Sequence, residues 1–358
     1  MCVSAKKKVL ILLTSQFGYH TDTFMYCKYL DKSKFDVSYF GFDMCLPRVE
    51  MEDVSVYYVQ IHKNRVIRYV IFINDLRRLI KEQRFDIIFH VYTIFALIIR
   101  LFTLGHFMVL DIRTGDVSDN RFKRYWKNFQ ITYSCWVYPR ISVVSESLAN
   151  KLNIGLHKWK IIPLGGEWQQ IPEKNIDTIK LLYIGILEKR NIHETVYGLS
   201  MFVKQHGKVI LSYDIIGAGN KQALNLLCTS IIETGLSHIV TFHGRKTLEE
   251  LLPFYEKCNV GVVYIPQTEY YDTQPTTKLY ECLLAGMPVI ATNTYENRIA
   301  IKGNSGVICE DNPESFCEAL INLYRHKNEY KSQEIKEAVI DHTWENIVKN
   351  KLTPFLIS

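Results

Sequence analysis

Residues 272–293 read DTQPTTKLYECLLAGMPVIATN, an order of residue types that spells loop, helix, stop and strand. Pro275 suits the first helical position, because its missing N–H is one of the donors left unpaired there anyway. Leu279 and Leu283 stand one turn apart, as do Tyr280 and Leu284, which gives the helix a wide apolar face. Gly286 falls where a helix ends on a left-handed residue, and Pro288 prevents its continuation. Val289, Ile290 and Ala291 then make a short buried strand. Lys278 and Glu281 lie three apart on the helix, so both can face one ligand. A helix start offers free N–H groups to an anion. The amides around Gln274, Thr276 and Thr277 stand at that place. One turn on, the Glu281 carboxylate can accept hydrogen bonds from two hydroxyls. An anion at the helix start with a diol one turn along describes a nucleotide diphosphate and its ribose.

The chain around this stretch has 358 residues, enough for two cores. It is 47% hydrophobic and 22% charged, which excludes a disordered chain. Nine cysteines are scattered without a C-x-x-C or a histidine at metal spacing. That pattern argues for a reducing, cytoplasmic compartment and against a disulfide framework or a zinc site. The apolar run Val9–Leu13 is too short for a signal peptide and reads as a first buried strand. Ile87–Ile99 carries His90 and Thr93 and ends at Arg100, short of the ~20 apolar residues of a spanning helix. The net charge of +6 is split unevenly. Residues 1–165 hold 24 Lys and Arg against 14 Asp and Glu, a balance of +10, and the remainder stands at −4. The N-terminal half is therefore the one suited to an anionic surface.

Short apolar strands alternate with helical segments in both halves, which predicts parallel α/β sheets. In the first half, strands are expected at Val9–Leu13, Val37–Phe40, Val54–Val59, Asp86–His90, Phe107–Leu110 and Ile141–Val144. Residues 65–84 form a helix in which Ile67, Val70, Ile71, Leu76, Leu79 and Ile80 recur at helical spacing beside a basic face. It either packs on the core with a solvated basic side or lies on an anionic membrane. Asp111, Arg113 and Asp116 follow a parallel strand at its carboxyl end, where such sheets bind ligands. Arg121, Lys123, Arg124 and Lys127 add to the basic patch, and Ser145 caps a helix. A linker from 168 to 178 precedes the second half. There strands LLYIGIL, SYDIIGAG, IVTFHG and VGVVYI alternate with helices before the 272–293 stretch. Gly217 and Gly219 lack the third glycine and the acidic residue of a dinucleotide fingerprint, which disfavours an NAD enzyme.

Glu281 followed by CLLAGMPVIA, with PTTKLY before it, resembles the donor-site signature of retaining glycosyltransferases of family 4. YIGILEKRNIHE resembles that family's loop supplying basic residues to the donor diphosphate, and the loop with Gly18 resembles its phosphate-covering glycine loop. The resemblance implies an α/β chain of the GT-B fold. Two Rossmann-like parallel-sheet domains would face a cleft, with a C-terminal helix crossing back. The expected limits are 1–167 for the acceptor-binding domain, 168–340 for the nucleotide-sugar domain and 341–358 for the returning helix. The donor is expected to be a UDP- or GDP-linked sugar, with no metal or other cofactor. The acceptor is expected to be a glycan or a lipid-phosphate-linked one, with no nucleic acid as partner. Transfer would retain configuration, the donor phosphate itself taking the acceptor proton. The implied setting is surface polysaccharide synthesis in the cytoplasm, with peripheral contact to an anionic inner membrane face.

As site residues, the resemblance implies Arg190, Lys189 and Asp111 in catalysis, and Glu281, Lys278, Thr277, Thr276, Thr273, Gly18 and Gly217 around the nucleotide sugar. Three positions depart from the pattern. Ile186 stands where an arginine usually follows the glycine. Arg190 is five residues after Gly185 where the family has six. Thr273 replaces the first of two glutamates, with Asp272 beside it. These departures keep two alternatives open: a non-catalytic GT-B sugar- or partner-binding protein, and a nucleotide-sugar epimerase of the same fold.

Overall fold

The structure is a computed structural model that describes residues 5–155, 159–167 and 171–358. In chain order the first elements are β1 (Lys7–Leu12), α1 (Thr21–Tyr29), β2 (Phe35–Asp43), β3 (Val54–Gln60), α2 (Arg65–Gln83) and β4 (Ile87–Val91). Next come α3 (Ala96–Phe102), β5 (Met108–Ile112), α4 (Arg121–Val137), β6 (Arg140–Val143), α5 (Glu146–Lys151) and β7 (Trp159–Ile161). The second half runs β8 (Ile179–Ile184), α6 (Ile192–His206), β9 (Ile210–Ile216), α7 (Lys221–Thr234), β10 (Val240–Phe242), α8 (Leu248–Lys257) and β11 (Val260–Val263). It continues α9 (Glu269–Asp272), α10 (Thr277–Leu284), β12 (Val289–Thr292), α11 (Tyr295–Ala300), β13 (Gly306–Cys309), α12 (Pro313–Arg325) and α13 (Ser332–Ala338). The tail holds α14 (Trp344–Ile347) and α15 (Thr353–Ile357). Two compact units result: 1–163 with 344–358, and 164–343.

The first unit is built on a seven-stranded parallel sheet in the order β3-β2-β1-β4-β5-β6-β7. Right-handed crossovers put helices leading toward β3 on one face and those leading toward β7 on the other. Alternation along the strands follows this division. Val9, Ile11, Val37 and Tyr39 share a core with Met25 and Tyr26 of α1 and with Trp344, Ile347 and Phe355 of the tail. Phe40 and Phe42 turn the other way onto Phe72 of α2. The tail thus belongs to the first unit's core, with the Trp344 ring edge-on to Tyr26 at 5.9 Å.

The second unit holds a six-stranded parallel sheet in the order β10-β9-β8-β11-β12-β13. Its core gathers Leu181, Tyr183, Val196, Phe202, Tyr213, Val262 and Phe316.

Three sequence expectations are corrected. The key helix begins at Thr277 rather than Pro275, with Thr276 as its N-cap. Ile67 and Val70 of α2 are exposed, and the inner face uses Phe72, Ile73, Leu76, Leu79 and Ile80 instead. Residues 121–137, expected only to add to a basic patch, form a long helix, α4. Among the described residues no helix is long and apolar enough to cross a membrane.

A buried ionic cluster ties the first unit together. Arg113, just past β5, donates to Asp22 of α1 at 2.6 Å and to the Ile162 carbonyl at 2.7 Å. Burial opposes its charge, but Asp22, Tyr26 and Asp111 hold it protonated. Breaking a buried pair strands its partner, so Arg113→Leu should destabilise the protein by about 3–5 kcal/mol in urea unfolding. Arg113→Leu with Asp22→Leu should lose less than the two single changes together, because neither charge is left alone.

Candidate functional site

In the second unit the chain runs from β8 toward β10 on one side and from β11 toward β13 on the other. Strand order therefore reverses between neighbours β8 and β11, and the crevice at their carboxyl ends is where open parallel sheets bind ligands. Two loops meet there. The one after β8 carries Lys189 and Arg190, and the one after β11 carries α9 and the start of α10. The Arg190 guanidinium lies over the Tyr271 ring, 4.3 Å from its centroid. Its Nη1 is buried without a hydrogen-bond partner among the described residues. Lys189 and Asn191 on either side adopt left-handed backbone, at φ 56° and 52°. Non-glycine residues held there cost of order 1–3 kcal/mol each, a strain typical of ligand-holding loops. The loop sends its two bases different ways. Lys189 lines a hollow of about 390 Å³ between the starts of α6 and α7, and Arg190 does not.

The first turn of α10 is uncapped. Thr276 makes no side-chain cap, and its Oγ1 is buried without a partner among the described residues. The amides of Thr277 and Lys278 thus stand at a helix start that no side chain satisfies, as an anion site requires. The Gln274 amide, expected among the donors, instead bonds the Tyr271 carbonyl at 3.1 Å. Asp272, the acid beside Thr273, accepts from the Tyr295 amide at 2.7 Å. Thr273 is the C-cap of α9.

Glu281 lies one turn into α10. Its Oε2 accepts from Lys278 at 2.5 Å and from the Tyr255 hydroxyl. Oε1 takes no hydrogen bond from the described residues, which leaves an acceptor for a hydroxyl. The helix is fixed from behind by close backbone packing. A Cβ on Gly166 would fall 3.1 Å from the Glu281 Cα, and Tyr280 stacks on His342 at 3.9 Å. Sequence reasoning missed Tyr255 and Tyr271, because nothing in local spacing links them to Glu281 and Arg190.

Gly217 contributes differently from expectation. A Cβ there would sit 1.7 Å from the Gly185 carbonyl oxygen, and its own amide already bonds Gly244. It lets the β8 and β9 loops approach and brings no donor to a ligand. Gly18, in the first unit, has φ 90° and faces Val49.

Asp111 does not sit where a catalytic carboxylate could meet an acceptor. It is fully buried, accepts from Ser142 at 2.6 Å and lies 3.8 Å from Arg113. Burial pushes its carboxyl up to about 6, against the pull of Arg113 and Ser142. The open feature beside it is a cavity of about 220 Å³ lined by Tyr92, Thr114, Asp116, Lys127 and Gln130. His20, two residues after Gly18, caps α1 through Nδ1, and burial lowers its pKa.

Residues 178–326, which include Arg190 and Glu281, match the family model for glycosyl transferases group 1. Among curated proteins none matches the chain in sequence. Several solved structures share its architecture. Sucrose-phosphate synthase from Thermosynechococcus elongatus superposes with a TM-score of 0.75 at 14% identity over 98% of both chains. HepE of Anabaena in complex with UDP does so at 0.75 and 12% identity, over 98% of this chain and 100% of that one. The lipopolysaccharide outer core galactosyltransferase WaaB follows at 0.70 and 14% identity, over 98% and 99%. At such identities the likeness is one of fold, and the fold is GT-B.

Two outcomes follow from this geometry. Arg190→Met removes a guanidinium with an unpaired buried nitrogen, so the melting temperature should hold or rise while pyrophosphate binding, read by calorimetry, weakens. Asp111 binds its proton more tightly folded than its ordinary 3.8. It therefore lowers stability as pH rises from about 4 to about 6. Asp111→Asn should remove that part of the pH dependence of the urea midpoint.

Proposed function

We propose that this protein is a glycosyltransferase that moves a sugar from a UDP- or GDP-linked donor to a glycan or lipid-phosphate-linked acceptor with retention of configuration. The observation that carries the reading is the uncapped start of α10 with Glu281 one turn on and Arg190 beside Tyr271. In this reading the diphosphate sits on the amides of Thr277 and Lys278, and the ribose hydroxyls bond Glu281. Arg190 meets the β-phosphate, where charge grows as the bond from the sugar C1 to the phosphate oxygen breaks. The acceptor oxygen forms the new bond to C1, and its proton passes to the leaving diphosphate. Arg190 and the helix start supply the positive charge, so the reading needs no metal.

The match of 178–326 to the group 1 glycosyltransferase model supports this assignment, as does the UDP held by the HepE structure of the same fold. The second unit takes the donor and the first the acceptor. A lipid-linked acceptor at the inner membrane face, in surface polysaccharide synthesis, agrees with the basic balance of residues 1–165. A non-catalytic binding role is the second reading, favoured by Thr273 where the family has its first glutamate and by Ile186 where it has arginine.

The test is release of nucleoside diphosphate from a panel of UDP- and GDP-sugars, with chelator present and with membrane lipid extract as acceptor source. Acceptor-dependent release from one donor is expected. Glu281→Ala should weaken UDP or GDP binding by about 1.5–3 kcal/mol, the range for hydrogen bonds to a charged group. Tight nucleotide binding without turnover on any donor would favour the binding role. Unchanged affinity in Glu281→Ala would remove the ribose assignment.

A further inference from the structure

Helix α4 turns more apolar surface outward than an ordinary surface helix does. Near its start the inner side is polar, and only farther along do Ile131 and Cys135 bury apolar groups. Arg124 donates to the Ser118 carbonyl at 2.6 Å and Lys127 to Asp116 at 2.5 Å. Asn128 Oδ1 accepts from the Asp116 amide at 2.9 Å. Its outer side is aromatic. Phe122, Tyr125, Trp126, Phe129, Tyr133 and Trp136 recur at helical spacing and are 87, 73, 61, 45, 43 and 64% exposed. The rings form a ladder, with Trp126 stacked near Phe129 at 5.9 Å and Phe129 near Tyr133 at 6.2 Å. A helix on a soluble protein turns its apolar stripe inward, and a contiguous exposed apolar surface marks an interaction site.

The neighbouring helix extends this surface. Arg100 of α3 donates to the Val137 carbonyl at the end of α4, at 3.1 Å. Ile98, Leu101 and Phe102 of α3 are exposed, and the Arg77 guanidinium of α2 lies over the Phe102 ring at 5.3 Å. The right-handed crossovers put α2, α3 and α4 on one face of the sheet. Between 65 and 137 the chain holds twelve Lys and Arg against six Asp and Glu.

We propose that the aromatic side of α4, continued by α3, seats in the headgroup region of an anionic lipid bilayer. Four of the six rings are Trp or Tyr, which join an apolar body to a polar tip and settle at the level of lipid headgroups. The surrounding basic excess is complementary to anionic lipid. A second copy of the chain would instead bring two equally basic faces together, an arrangement that like charges oppose. Lys127, Gln130 and Ile131 of the same helix line the 220 Å³ cavity, so docking here brings that cavity to the bilayer. The inference deepens the lipid-linked acceptor reading by naming the surface that meets the lipid. The aromatic ladder itself does not depend on catalysis.

The full chain is tested with vesicles of phosphatidylcholine alone and of phosphatidylcholine with phosphatidylglycerol. Wild type should co-sediment with the anionic vesicles, less so at high salt because exposed charges are screened. Brominated lipids should quench its tryptophan fluorescence. Trp126→Ser with Phe129→Ser should lower vesicle partition by roughly tenfold or more, through loss of buried apolar area, with melting temperature and UDP binding unchanged. Failure of UDP binding with vesicle binding intact would remove the proposed function and leave the docking surface standing. Three results overturn the docking proposal: wild type left in the supernatant with anionic vesicles at low salt, a double variant that partitions as well as wild type, or a wild-type dimer in solution that the double variant converts to monomer.

Discussion

The reversal of strand order between β8 and β11 is the constraint on which the second unit's chemistry depends. Crossovers leave these two neighbours in opposite directions, so no helix covers the crevice at their carboxyl ends. Whatever follows the two strands must meet there. After β8 the chain uses two left-handed residues to set Arg190 over the Tyr271 ring. After β11 and the short α9, it starts α10 without a side-chain cap. Each choice is unfavourable for the folded protein alone. A buried guanidinium nitrogen and a threonine hydroxyl without partners among the described residues, beside a helix start without a side-chain cap, are the unmet donors that the proposed diphosphate site would use.

The rear of the same helix shows the opposite policy. Gly166 approaches the Glu281 backbone, Tyr280 stacks on His342, and Tyr255 and Lys278 both hold one oxygen of Glu281. The carboxylate is thereby fixed in direction while its other oxygen stays available. Rigid support behind and unmet donors in front are what a preorganised site requires.

Much of this was legible in the sequence, and the reasons differ by element. The helix and strand of 277–292 were readable because apolar period, Gly286 and Pro288 all agree. The start was misplaced by two residues because Pro275 tolerates the turn before a helix as well as its first position. Asp111 was misread because an acid at a strand end looks like a ligand group. Only the fold shows Arg113 and Ser142 closing over it. The pairings of Tyr255 with Glu281 and of Tyr271 with Arg190 join residues far apart in the chain, and no local pattern encodes them. Helix α4 was missed because pattern reading assumes that an apolar stripe faces inward, and here the stripe faces out.

The central claim is that the α10 start, Arg190 and Glu281 form one nucleotide site. Its most direct test is a crystal structure of the protein with UDP or GDP bound. The account predicts diphosphate oxygens on the amides of Thr277 and Lys278, with the β-phosphate toward Arg190 and the ribose hydroxyls on Glu281. A nucleotide found instead in the hollow between the starts of α6 and α7, with Lys189 as its phosphate partner and Glu281 untouched, would contradict it.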